Sequence, residues 1–325
     1  MDLVWDFGWL VAGFVLLYFG AEWLVKGSSE IALKLGLSPL VVALTVVAFG
    51  TSAPELLVSV QAGLRDQGDI ALGNVVGSNI CNIALILGAG ALVRPVVIHA
   101  QIIKREMPVL LAISIVFVWF LWDGRVERWE GGVLFAGIIA YVWASFHAAK
   151  REPHPEQFEA FEAEELQAIR KGGAGRLVLD VALIVAGLAA LIFGADRLVV
   201  SGVSLAERFG VPEAIIALTL VAFGTSLPEL ATALVASVRN QGDIISGNAI
   251  GSCIFNILAV VGLASLVTPL VARDLNRIDL WVMLGLTFLI IPFMWSRMRL
   301  SRAEGAILLA GYLGYCGYLV ARGGS

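Results

Sequence analysis

Gly50-Thr51-Ser52-Ala53-Pro54-Glu55 returns 174 positions later as Gly224-Thr225-Ser226-Leu227-Pro228-Glu229, each time inside an apolar segment of membrane-spanning length. Each copy sets a proline, which lacks an amide hydrogen and crowds the preceding turn, beside an ionisable carboxylate. A carboxylate near the bilayer midplane costs about 2.5–3.5 kcal/mol on insertion scales, and it faces a partner, a cavity or a transported ion. Irregular backbone at that depth persists only where it lines a cavity or is buried in protein, and a cation would satisfy the freed carbonyls as well as the carboxylate. Two such elements on repeated units predict a shared ion site.

Outward from these elements the offset of 174 holds without a gap over nearly the whole chain. Phe19-Gly20-Ala21-Glu22 aligns with Phe193-Gly194-Ala195-Asp196, Gln67-Gly68-Asp69-Ile70 with Gln241-Gly242-Asp243-Ile244, and Gly77-Ser78 with Gly251-Ser252. The sequence therefore divides into a first repeat over 1–151, with its signature at about 45–83, and a second over 175–325, with its signature at about 219–257. Residues 152–174 are Glu-rich, contain proline and have no counterpart, which makes them a polar linker; Glu156 to Arg170 suit a short surface helix.

Apolar runs at about 7–25, 38–62, 70–92, 106–122 and 130–148, repeated in the second half, predict ten transmembrane helices. Five is an odd number, so the second copy crosses the membrane in the opposite sense. The expected fold is an all-α polytopic membrane protein of two inverted-topology five-helix repeats, an arrangement that secondary transporters use. With the N-terminus outside, fourteen Lys and Arg fall on the inner side and eight on the outer. That bias places both termini outside and the linker in the cytoplasm, in the cell (inner) membrane.

Composition agrees. With 59% hydrophobic residues, 15% charged and a mean hydropathy of +0.88, the chain is no ordinary soluble domain, and a net charge of -4 argues against a nucleic-acid partner. The N-terminus lacks the basic region of a cleaved signal, so the first apolar run reads as a retained helix. Cys81, Cys253 and Cys316 lie in apolar stretches without a CxxC pair and read as small core residues. His99, His147 and His154 fall at or near loops and are not expected as ligands. Glu22 is expected to pair with Lys26 one turn on, and Asp196 with Arg197. Gly73 with Gly77, and Gly247 with Gly251, make small faces for close helix packing inside the protein.

Ser38-Pro39 reads as an N-cap followed by proline at the first helical position. On the helix it starts, Thr51 and Ser52 lie four and three positions before Glu55; Ser78 and Asn82 are four apart on the next. Thr225, Ser226, Glu229, Ser252 and Asn256 repeat the set. Any single Ser or Thr among these could simply bond its own i−4 carbonyl, and any single Asn could tie two helices together. A structural role for the glutamates would need a buried cationic partner, and neither helix core contains Lys or Arg. Carboxylate, hydroxyl, amide and carbonyl oxygens without Cys or His suit hard cations such as calcium or sodium. Two carboxylates neutralise one calcium, and an empty site would hold two unpaired buried charges, a bias toward exchange over leak.

The doubled Gly-Thr-Ser-x-Pro-Glu element, each copy followed by Gly-Asp, Gly-Asn and Gly-Ser steps ending in Asn82 or Asn256, resembles the α-repeats of the calcium/cation antiporter superfamily, specifically prokaryotic sodium/calcium exchangers. The resemblance implies antiport of calcium against sodium by alternating access, with the first and sixth helices sliding across the bundle. It implies that Glu55 and Glu229 bind calcium with the carbonyls of Thr51 and Thr225. Sodium would be held by Ala48, Thr51, Ser52, Ser78, Ala222, Thr225, Ser226 and Ser252 together with the glutamates, and Asn82 and Asn256 would complete the central site. No cofactor is expected, since the ions are cargo, and a monomer in the lipid bilayer suffices for transport. The chain departs from the pattern where some relatives place Asp at the position of Asn256, and where Cys253 stands in place of the Asn found at Asn79. A calcium/proton antiporter and a cation channel are the alternatives; two inverted halves in one chain suit alternating access better than a pore.

Overall fold

The computed structural model describes residues 3–35, 37–149, 174–209, 222–273 and 275–323. In chain order its helices and short strands are α1 (Leu3–Leu35), α2 (Pro39–Thr51), α3 (Ala53–Leu64), α4 (Gly68–Val93), β1 (Val96–Val97), α5 (Ile102–Asp123), β2 (Arg125–Val126), α6 (Arg128–Ala149), α7 (Ala174–Arg208), α8 (Ala222–Gly224), α9 (Leu227–Val238), α10 (Gly242–Val267), β3 (Leu270–Val271), α11 (Arg277–Arg297), β4 (Arg299–Leu300) and α12 (Arg302–Gly323). Among the described residues eight helices are long and apolar enough to cross a membrane, or nine when the bent pair α2 and α3 counts as one span. The span expected at about 212–236 is described only from Ala222 onward, as α8 and α9; residues 210–221, like most of the linker and its expected surface helix, lie outside the described residues.

Ser38 caps α2 as its sequence suggests, accepting a hydrogen bond from Val41 N at 3.3 Å ahead of Pro39. Helix α1, expected over 7–25, runs to Leu35, and α7, expected over 181–199, runs from Ala174 to Arg208. Hydropathy stops at charged residues, but here those charges are paired between the two helices. Lys34 meets the buried Asp180, Arg176 meets Glu30 at 3.5 Å, and at the far end Arg208 meets the buried Asp6 at 3.5 Å. The helices run antiparallel in close contact. A Cβ on Gly20 would come within 2.9 Å of Gly187 O, and one on Gly187 within 2.7 Å of Gly20 O, so only glycine admits this approach.

Glu22 does not pair with Lys26. It forms its ion pair with Arg239 at the end of α9, while Lys26, one turn on, is exposed. An exposed i,i+4 pair contributes about 0.2–0.5 kcal/mol, and a guanidinium that reaches both oxygens of the carboxylate outcompetes it. Asp196 does pair with Arg197, at 2.9 Å from Nε.

Helices α4 and α10 form the centre, with 78% and 83% of their most apolar stretch buried, whereas α6 and α12 bury 28% and 11% and are peripheral. Trp119, Trp122, Trp129, Trp143, Trp281 and Trp295 are exposed near helix ends, where indole rings favour the membrane interface. Two short antiparallel ladders close the two ends of the bundle. In one, β1 pairs with β4, Val96 opposite Leu300; in the other, β2 pairs with β3, Val126 opposite Leu270. The first lies on the face where α6 ends and α7 begins, with Arg105 donating to Ser145 Oγ at 3.0 Å and His99 meeting Asp243 at 2.8 Å. On the opposite face Asp69 Oδ1 accepts from the amides of Arg273 and Leu275 at 2.9 and 3.0 Å.

Candidate cation site

The site forms where two helices restart. Helix α2 stops at Thr51, Ser52 turns out of helical geometry (φ -82°, ψ 6°), and α3 departs at 44°. Pro54 falls in the first turn of α3, where its missing amide leaves no bond unmade. Ser226 (φ -89°, ψ 6°) and Pro228 repeat this at the start of α9. Glu55 and Glu229 thus each stand in the first turn of a helix, where unpaired amides and the helix dipole favour negative charge.

Both carboxylates are sealed, at 1% and 0% exposure. Each is reached from the other half: Ser52 Oγ donates to Glu229 Oε1 and Ser226 Oγ to Glu55 Oε1, both at 3.4 Å. Ser226 also lies 3.5 Å from Ser78 Oγ. The Thr51 hydroxyl lies against Glu229, and those of Thr225 and Ser78 against Glu55. No ion pair among the described residues includes either glutamate.

Glu55 Oε2, Glu229 Oε2, Ser252 Oγ, Asn82 Oδ1 and Asn256 Oδ1 are buried and have no hydrogen-bond partner. Buried polar atoms are nearly always paired, so this concentration of bare oxygens, all drawn from the two repeated elements, fits a bound cation. Asn82 and Asn256 sit in the π-helical turns Cys81–Ile86 and Asn256–Val261, widened turns that recur at functional sites. Ser252, Asn82 and Asn256 make no hydrogen bond to either carboxylate. Ala48 is buried, and its carbonyl accepts from Ser52 N at 3.0 Å and from Thr51 Oγ1 at 3.4 Å; Ala222 opens α8. Among the described residues no cluster of three or more His, Cys, Asp or Glu is placed to hold a metal, which leaves two carboxylates and neutral oxygens as the available donors.

Two residues at the site escaped sequence reasoning. Asn248 Oδ1 accepts from Thr51 Oγ1 at 3.1 Å, and Asn74 Oδ1 accepts from Thr225 Oγ1 at 3.4 Å, each tying one half to the other. Asn74 also donates from Nδ2 to Glu55 O at 3.2 Å and Ser59 Oγ at 3.0 Å. Ala233 stands where the repeat would place a second Ser59, and Asn248 Nδ2 is buried without a partner. The recurrence of Gly73-Asn74 as Gly247-Asn248 was the available signal. The second pair of glycines packs as expected: a Cβ on Gly247 would meet Ala43 Cβ at 2.7 Å, and one on Gly251 would meet Ala48 Cβ at 2.8 Å, both on α2. Around Gly73 and Gly77 the described neighbours are sparse, and most of the segment equivalent to α2, residues 213–221, lies outside the described residues. Cys253 faces Asn79, its equivalent in the first repeat, at 3.9 Å from the Asn79 carbonyl.

The family model for the sodium/calcium exchanger protein matches residues 5–147 and matches again over residues 179–321. The chain belongs to the sodium/calcium exchanger family. Inner membrane protein YrbG of Escherichia coli is 37% identical over 94% of this chain and 93% of its own length. Sodium/calcium exchanger MaX1 of Methanosarcina acetivorans is 32% identical over 94% and 96%. The solved structure of the sodium-calcium exchanger NCX_Mj soaked with Na+ and Sr2+ superposes with a TM-score of 0.82 at 31% identity, covering 96% of this chain and 97% of that one. As a member of this family the chain is a multi-pass membrane transporter, a cation antiporter and not an enzyme.

Proposed function

We propose that the protein exchanges calcium for sodium by alternating access, with the ions held between α2–α3 and α8–α9 against α4 and α10. The observation that carries this reading is the pair of sealed glutamates, each hydrogen-bonded from the opposite half and each with one bare carboxylate oxygen. One divalent cation neutralises the pair, whereas an empty site keeps two buried charges unpaired, so a loaded site crosses between states more readily. Glu55, Glu229, Thr51 and Thr225 are the calcium donors in this reading. Ser52, Ser226, Ser78, Ser252, Ala48 and Ala222 extend the set to sodium, and Asn82 and Asn256 supply neutral oxygens at its centre. The hydroxyl-rich surroundings favour sodium as the coupling ion over a proton, which needs no such donors.

Two inverted repeats separated by the polar linker underlie the mechanism. The 174-residue offset carries the β1–β4 ladder onto the β3–β2 ladder at the opposite end of the bundle, which supports a symmetry that exchanges the two faces. The Lys and Arg bias supports a cytoplasmic linker in the inner membrane, with both termini outside. The test is calcium uptake into proteoliposomes with sodium, potassium or proton gradients imposed one at a time. Uptake driven by an outward sodium gradient is expected; uptake driven by a proton gradient alone would replace this reading with calcium/proton antiport.

A further inference from the structure

Several contacts between the halves occur twice, once for each way the offset can be applied. Lys34–Asp180 has its image in Arg208–Asp6, Ser52–Glu229 in Ser226–Glu55, and Thr51–Asn248 in Thr225–Asn74. Others do not: Ser226–Ser78 has no Ser52–Ser252 image, and one ion pair lacks its image although both residue types are retained. The ion pair of Glu22 with Arg239 sits toward the linker-side face, and its image would join Asp196 to Arg65 toward the opposite face. Both residue types are retained, yet Asp196 turns to its neighbour Arg197, and no ion pair among the described residues joins Asp196 to Arg65.

A packing asymmetry accompanies that of the ion pair. The atoms nearest a Cβ on Gly50 belong to Leu188, and those nearest a Cβ on Gly224 to Val199, both on α7. Under the repeat the partner of Gly50 would be Val25 of α1. The α1–α7 pair therefore sits off-centre on the two bends that carry the glutamates.

We propose that Glu22–Arg239 and Asp196–Arg65 are alternating latches, the first made when the linker-side face is closed and the second when the opposite face is closed. This rests on the alternating-access reading above. Each pair links α1 or α7 to the end of a glutamate-bearing helix, so a shift of the long helices that parts one pair brings the other together. The free-energy difference between the states stays small because the ion pair lost is replaced by one of the same type. Arg239 and Glu22 are 37% and 26% exposed, and a pair that accessible biases an equilibrium by about two- to fivefold, enough to favour a state and too little to trap it.

The test is a crosslink that this conformation does not favour. Arg65→Cys with Asp196→Cys, in a chain whose Cys81, Cys253 and Cys316 are alanine, is treated in membranes with a short bifunctional maleimide. Crosslinking is expected, with a yield that rises about two- to fivefold when Glu22→Gln removes the opposing latch. In the converse pair, Glu22→Cys with Arg239→Cys, crosslinking is expected to rise when Asp196→Asn is added. No Arg65→Cys/Asp196→Cys product, or yields indifferent to the opposing variant, would overturn the latch. A general loss of folding is separated by the exchange Glu22→Arg/Arg239→Glu, which restores the wild-type balance if the pair acts through its charges. Crosslinking needs no transport, so reciprocal crosslinks in a protein without sodium-driven calcium flux would sink the exchanger reading and leave the latch standing. Sodium-driven flux without reciprocal crosslinks would do the reverse.

Discussion

The Ser226 hydroxyl donates to Glu55 Oε1 at 3.4 Å across the junction of the two halves, and Ser52 makes the same contact with Glu229. Each bend completes the surroundings of the other half's carboxylate, so neither repeat holds a whole site. Glu55→Gln or Glu229→Gln is therefore expected to abolish calcium transport while the protein still folds. Without ions, either variant should melt above the wild type, because a buried charge without a cationic partner costs several kcal/mol. Flux and ion-free thermal melting in detergent check both halves of this expectation; wild-type exchange in either variant would remove the two-carboxylate site.

Sodium and calcium should separate at the serines. Sodium carries half the charge and depends more on neutral oxygens. Ser78→Ala and Ser252→Ala are expected to raise the half-saturating sodium concentration about threefold to tenfold, the factor carried by one polar contact, and to shift calcium affinity less. The check is ion-dependent stabilisation of purified protein, titrated with each ion in turn. Equal losses for both ions would reduce the serines to packing.

The Asn248 amide nitrogen is buried without an acceptor, whereas Asn74 has Ser59. Ala233→Ser places a hydroxyl at the equivalent position and is expected to stabilise the protein by about 0.5–1.5 kcal/mol, with Ser59→Ala costing a similar amount. Thermal melting of the two variants reads opposite signs if the bonds are made as described. A destabilised Ala233→Ser protein would show that the space beside Asn248 is already filled.

Asp180 is 1% exposed at the side chain and relies on Lys34. Lys34→Met leaves that carboxylate buried and unpaired, a loss of about 3–5 kcal/mol, while adding Asp180→Leu recovers most of it. Denaturation of single and double variants measures the difference, and a harmless single variant would mean that water reaches Asp180.

Potassium should be neither required nor transported. In the proposed site calcium neutralises Glu55 and Glu229, and Asn256 offers oxygen without charge, so a buried potassium would stand uncompensated. Asn256→Asp supplies a third carboxylate and is expected to introduce potassium sensitivity. Sodium-driven calcium flux with choline replacing potassium on both sides is the assay, and wild-type exchange that stops without potassium would defeat the charge count.

Local chemistry made much of this legible in the sequence. Pro54 and Pro228 suit the first turn of a helix and not its interior, so each marks a restart within an apolar run, and a carboxylate beside such a break is costly enough to demand a function. The 174-residue offset fixes the equivalence of the two halves without reference to any contact. Which residues meet is another matter, because proximity across the bundle depends on how helices pack. Ser52 lies three positions from Glu55 and yet bonds Glu229; Glu22 has Lys26 one turn away and yet takes Arg239. The ends of α1 and α7 were also hidden, since charges that halt a hydropathy window are neutralised by partners on another helix, as Lys34 is by Asp180. Symmetry in the sequence treats Glu22–Arg239 and Asp196–Arg65 alike, and only the tertiary structure chooses between them, because one position of the long helices brings one pair within reach and holds the other apart.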